Sequence, residues 1–187
     1  MHFTLGELLL DLVQNAASAG SRTVRVRWRR ADGALELLVD DDGPGMPPEI
    51  VARATDPFYT DGIAHPTRTV GLGLAFLRQT AEATGGRFVL DSRRDGTPAR
   101  GRGTSVGLYA PASHIDLPPD GEVVATLVLV LCTEGPEEIE VVRQSDHGSY
   151  RVTKRELQDV LGDLSSVESR GLLREYLESQ EDELWPR

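Results

Sequence analysis

From Thr4 to Ala19 the apolar positions Leu5, Leu8, Leu9, Leu12, Val13 and Ala16 recur at helical spacing, and Gly20 follows as a stop. The pattern predicts an amphipathic helix with one face in a core. Glu7, Asp11 and Asn15 lie four apart and form a polar stripe along the edge of that face. Most half-buried helices carry such a stripe, and it is also where a ligand can reach. From Arg22 the period changes to two: Val24, Val26 and Trp28 point one way, and Arg25, Arg27 and Arg29 the other. Asp32-Gly33 signals a hairpin turn, after which Leu35, Leu37 and Val39 resume the alternation on a second strand. The arginine stripe reads as the solvent side of a sheet.

The second strand runs into Asp41-Asp42-Gly43-Pro44-Gly45, which offers a carboxylate and a nearly bare backbone to a flat heterocycle. The same residues also make ordinary turns. Pro47-Pro48-Glu49 begins a short helix ending near Ala54. The polar, breaker-containing segment through Thr69 reads as a lid-like loop. Val70 to Leu74 opens another helix, with Leu74, Leu77 and Ala81 on one face and Gly85-Gly86 as its end. Glycines at a helix start leave amides exposed to an anion, or simply permit close packing. Strands are expected at residues 87–91 and 105–109, joined by an arginine-bearing loop with Arg93, Arg94, Arg100 and Arg102.

Residues 112–121, with Pro118-Pro119, read as a linker, which divides the chain into residues 1–111 and a small C-terminal α/β module over 122–187. In that module strands are expected at 122–133, 139–144 and 149–152. Two helices follow, capped by Thr153 with Glu156 and Ser165 with Glu168. The acidic stretch from Glu181 to Glu183 reads as a frayed tail.

Composition narrows the function classes. A formal charge of −10 over 187 residues argues against a nucleic-acid surface. Lys154 is the only lysine, so any phosphate contact elsewhere uses an arginine fork. The single Cys132 excludes an internal disulfide and a cysteine-based zinc cluster, and its apolar surroundings suggest an inert thiol. No apolar run approaches the roughly 20 residues that span a bilayer, and no signal peptide is present, so the expectation is a cytoplasmic protein without membrane contact.

Taken in order, these stretches resemble the GHKL superfamily, the ATPase fold of gyrase B subunits, Hsp90, histidine kinases and MutL. Asp11-Leu12-Val13-Gln14-Asn15-Ala16 is similar to its N box, and Val39 to Met46 to its G1 box. Asp56-Pro57-Phe58 resembles the F box and Gly71-Leu72-Gly73-Leu74 the G2 box, with Gly103-Thr104 entering a strand beyond. The resemblance covers residues 1–111 and is closest to the histidine-kinase and anti-sigma-factor branch. It implies an α+β, two-layer sandwich (the Bergerat fold), a mixed sheet with helices on one face, binding ATP with Mg2+. The linker and C-terminal part are also similar to stand-alone ATP-binding proteins encoded near bacterial iron-only hydrogenases, a likeness that names no activity.

Roles implied by the resemblance each have a physical reason. Asp41 would accept the exocyclic amine of adenine, where guanine offers a carbonyl. Gly43 and Gly45 would let the backbone approach the ring. Asn15 would be an oxygen ligand of Mg2+. The amides of Gly71 and Gly73 would meet the phosphates, with Arg68 as a further phosphate contact. Met46, Phe58, Leu72, Leu74 and Thr104 complete the implied nucleotide-binding set. Hydrolysing branches carry a glutamate four residues before the asparagine; here that position is Asp11, one methylene shorter, which is the candidate base, with Glu7 one turn earlier as the other. The G2 box also has Thr69 where kinases often have glycine.

None of His2, His65, His114 or His147 lies in a dimerisation helix, which argues against autophosphorylation of the usual kind. Three functions follow: a regulatory kinase phosphorylating a partner protein in trans, a nucleotide-responsive binding module without transfer, and a slow ATPase. The partner or phospho-acceptor and the oligomeric state stay open.

Overall fold

The computed structural model describes residues 4–55, 72–97 and 101–186. Helix α1 (Leu5–Ser18) forms as its periodicity predicts, and Thr4 caps it. The Thr4 hydroxyl accepts from the Glu7 amide at 3.1 Å while the Glu7 carboxylate accepts from the Thr4 amide at 2.8 Å. Glu7, named above beside Asp11 as a candidate base, is thus exposed and engaged in capping the start of α1, at the end of the helix away from Asn15. The apolar stripe of α1 is fully buried, each large side chain contributing about 1.5–3 kcal/mol of burial.

Strands β1 (Thr23–Ala31) and β2 (Ala34–Asp41) pair antiparallel through a two-residue turn in which Asp32 and Gly33 both have positive φ, 56° and 71°. After the short α2 (Pro48–Val51) come α3 (Leu72–Ala83), β3 (Arg87–Thr97) and β4 (Gly101–Pro111). Both strands run on through much of the arginine-bearing segment expected to be a loop, with an irregularity between Arg93 and Thr97.

Beyond residue 121 the structure departs furthest from expectation. Residues 123–131 form helix α4 (Val123–Leu131), not a strand. An unbroken apolar run carries no period, and its β-branched residues favour a strand only while neighbours are ignored. Here α4 packs against α1 and against α6 (Val167–Leu184). Strands β5 (Glu138–Ser145) and β6 (Ser149–Thr153) then extend the same sheet, in the order β3-β4-β2-β1-β5-β6. β5 runs parallel to β1, with Val24 opposite Ile139 and Trp28 opposite Arg143. The C-terminal elements are thus not set apart as a module of their own: β5 and β6 belong to the same sheet as β1 to β4, and one core cluster includes Leu9, Trp28, Leu127, Ile139 and Leu173.

The expected linker is tied down as well. The carbonyls of Pro119 and Asp120 accept from the amides of Leu5 and Gly6, at 2.9 and 3.0 Å, supplying partners that a helix start lacks. Thr153 caps α5 (Lys154–Leu161) as expected, whereas the cap of α6 is Ser166, one residue later than expected, because Ser165 is engaged with Asp163. The result is an α+β sandwich in which α1, α3, α4 and α6 contribute to the core on one face of a mixed sheet. The opposite face carries the arginine stripe, with Arg27 paired to Glu36 and Asp40.

Candidate functional site

The stop of α1 delivers Ser21 to the end of β2. Gly20, at φ 80°, donates to the Ala17 carbonyl at 3.0 Å and Ser21 donates to Ala16 at 3.2 Å, the paired bonds of a Schellman stop. This turn aims Ser21 inward, where it is 3% exposed. Its hydroxyl donates to Oδ1 of Asp41 at 3.0 Å, and the Gly43 amide donates to the same oxygen at 2.7 Å. Burial pushes the Asp41 carboxyl up from its ordinary value, with the Gly43 amide, the Ser21 hydroxyl and the Thr104 backbone opposing that rise.

The spacing of the Asp-x-Gly-x-Gly turn now has a steric cause. A β-carbon on Gly43 would stand 2.6 Å from the Ser21 hydroxyl and 2.8 Å from Asp41 Oδ1. Gly45 has φ 68°, and a β-carbon there would strike the backbone of Arg93. Met46 donates its amide to the Ser92 hydroxyl at 2.7 Å, and Ser92 meets the Thr104 hydroxyl at 2.8 Å. Thr104 in turn pairs with Asp41 across β2 and β4. Ser21 and Ser92 were missed in the sequence because isolated serines outside a recognised box carry no local signal.

One to two turns earlier on α1, half-buried Asn15 donates from Nδ2 to Asp11 Oδ2 at 3.3 Å. The Asp11 carboxylate lies against the first turn of α3, so close that a β-carbon on Gly73 would collide with it. The structure therefore brings together Asp11, Asn15 and Gly73 at one end of the site, and Asp41, Gly43, Gly45, Met46 and Thr104 at the other. Leu74 packs against the core at the start of α3, and Leu72 is its first residue. Phe58, Arg68 and Gly71, with the whole expected lid and F box, lie outside the described residues. These donors suit a magnesium nucleotide: an oxygen-bearing amide and a carboxylate at a helix start, and a buried carboxylate beside bare backbone.

Other features of the sequence find structural roles. The Lys154 ammonium donates to the carbonyls of Thr133 and Pro136, at 2.8 and 2.9 Å. Partly buried Cys132 donates to the Leu164 carbonyl, and burial pushes its thiol up, away from reactivity. A hollow of about 400 Å³ at the other end of β1 is lined by Arg30, Asp120, Gly121, Val123, Arg143, Glu181 and Trp185. Its arginines are already paired, Arg30 with Asp120 and Arg143 with Glu181. No helix among the described residues is long and apolar enough to cross a membrane.

A family profile described as histidine kinase-, DNA gyrase B-, and HSP90-like ATPase matches residues 2–114. The chain belongs to this family, as an ATP-binding domain of histidine kinase-like type. It is 36% identical over 110 residues to the histidine protein kinase DivJ of Caulobacter vibrioides, covering 57% of this chain and 17% of the kinase. It is 34% identical over 117 residues to the signal transduction histidine-protein kinase/phosphatase MprB of Mycolicibacterium smegmatis, covering 61% of this chain and 23% of that protein. The chain thus spans a minor part of either relative. The N-terminal domain of a DNA repair protein superposes over 89% of this chain and 58% of its own, with a TM-score of 0.54 at 11% identity, a likeness of fold alone.

Proposed function

We propose that this chain is a magnesium-ATP-dependent kinase domain that transfers the γ-phosphoryl group to a histidine or serine of a separate partner protein. The observation that carries the reading is the placement of Asp11 of α1 against the start of α3 with Asn15 bonded to it, on the same helix beyond whose end Ser21 meets Asp41. In this reading Asp41 takes the adenine amine between Gly43, Gly45, Met46 and Thr104, and Asn15 holds Mg2+. The amides of Gly71 and Gly73 would meet the phosphates with Arg68 as a further contact, and Phe58, Leu72 and Leu74 would complete the nucleotide-binding set. Magnesium neutralises charge on the phosphates when bound. The bond between the γ-phosphorus and the bridging oxygen of ADP breaks as one to the acceptor forms, and the protein's part is chiefly positioning.

Transfer in trans rather than hydrolysis is favoured by Asp11, whose shorter side chain hydrogen-bonds Asn15. His114 and His147 lie in connections between elements, His114 with Nδ1 accepting from the Asp116 amide at 3.2 Å. Neither is set on a helix as an acceptor. The alternative of a nucleotide-responsive module without transfer rests on the same carboxylate and on the fixed C-terminal elements packed behind α1.

Incubation with γ-labelled ATP, alone and then with lysate of the source organism, separates these outcomes. Label on a discrete lysate protein supports the kinase. Free phosphate alone indicates an ATPase, and ATP binding with neither product indicates the binding module. A folded protein that binds neither ATP nor ADP calorimetrically removes the whole reading.

A further inference from the structure

We propose that Ser21 is a positioning residue for nucleobase selection, holding one oxygen of Asp41 so that the other is turned to the exocyclic amine of adenine. The inference rests on the assignment of Asp41 to adenine made above.

The terminal torsion of an aspartate is broad and roughly two-fold, so the side chain does not orient its own carboxylate. Orientation has to come from donors around it. A carboxylate has about four acceptor sites, two on each oxygen. The Ser21 hydroxyl and the Gly43 amide both fall on Oδ1, which fills that oxygen. The Thr104 backbone also approaches the carboxylate, and even with that donor Oδ2 keeps a site for a ligand.

Position and burial make Ser21 unusual for its place in the chain. It is the second residue past the C-cap of α1, where a Schellman stop commonly sets an apolar side chain against the helix. Here that slot holds a hydroxyl, 3% exposed, and its hydroxyl hydrogen bond goes to Asp41 twenty residues away. Gly43 must lack a β-carbon for this contact to exist, since one would press on both Ser21 and Asp41. The hydrogen bond also joins the end of α1, which carries Asn15, to the end of β2, so the two halves of the site share one fixed spacing.

The test compares ATP with purine riboside 5′-triphosphate, which lacks the 6-amino group, by calorimetric titration of the wild type, Ser21→Ala and Ser21→Thr, with Tm as a check on folding. Ser21→Ala is expected to weaken ATP binding about 10-fold, the range of a hydrogen bond to a charged group, and to leave the analogue within about 2-fold. Ser21→Thr, which keeps the hydroxyl, is expected to retain more of the preference for ATP than Ser21→Ala. Equal losses for both nucleotides in Ser21→Ala, or no loss for either, overturn the proposal while the assignment of Asp41 stands. A wild type that binds both nucleotides equally overturns that assignment and this proposal together. If the wild type binds neither, the proposed function itself fails.

Discussion

Glu181, near the end of the last helix, takes the guanidinium of Arg143 in a two-pronged bond, with Nε and Nη2 both at 2.8 Å from its oxygens. The Tyr150 hydroxyl adds a third contact at 2.6 Å, and Arg143 stacks over the Trp28 ring at 4.6 Å while donating to the Trp28 carbonyl. What reads in the sequence as a frayed acidic tail is the clasp that ties α6 to β5 and β6.

Glu181→Gln is expected to cost about 3 kcal/mol, because it leaves a guanidinium that is 1% exposed without its counter-charge. Burial alone would raise the Glu181 carboxyl, but Arg143 and then Tyr150 outweigh it and hold it below its ordinary value. Its contribution is therefore present above the ordinary glutamate pKa of about 4.3 and lost as pH falls through the lower folded value. Urea unfolding of both proteins should show a gap that is full at neutral pH and narrows in acid.

Asp41→Asn should separate binding from stability. The folded state raises the Asp41 carboxyl, so the stability linked to its proton is present below the ordinary aspartate pKa of about 3.9 and lost as pH rises through the folded value. At neutral pH the neutral isostere is expected to match or exceed the wild type in Tm. Its affinity for ATP should fall by about 10-fold or more. ATP binding by the wild type should also weaken as pH drops through the raised value, which calorimetry across pH would follow.

Gly73→Ala tests the contact between α1 and α3. Alanine is the better helix former by about 1 kcal/mol, but its β-carbon collides with the Asp11 carboxylate. In the wild-type background the gain should be cancelled, and in an Asp11→Ala background it should appear, a coupling of about 1–2 kcal/mol. Chemical denaturation of the four proteins measures it; additive effects would show that the two residues are independent.

Removal of residues 112–187 should leave a chain that does not unfold cooperatively. It would strip β5 from β1, α4 from α1, and the Pro119 and Asp120 carbonyls from the start of α1. Circular dichroism and thermal unfolding of the 1–111 fragment would check this, and a sharp two-state transition would show that the ATP-binding half folds alone.

Some of this protein is determined locally and so is legible in the sequence. The period of Leu5 to Ala16, the alternation of Val24 to Val39 and the Asp32-Gly33 turn depend on residues a few positions apart, and each forms as read. The order of the boxes around Asn15, Asp41 and Gly73 likewise indicated the family, which the match over residues 2–114 shows. Tertiary structure decided the rest. Residues 123–131 are helical because α1 and α6 offer a helix-shaped slot, and β5 joins β1 through a pairing more than a hundred residues apart. The same holds for Ser21 at Asp41 and Arg143 at Glu181. Single polar side chains have no period, and only the fold can bring their partners within hydrogen-bond reach.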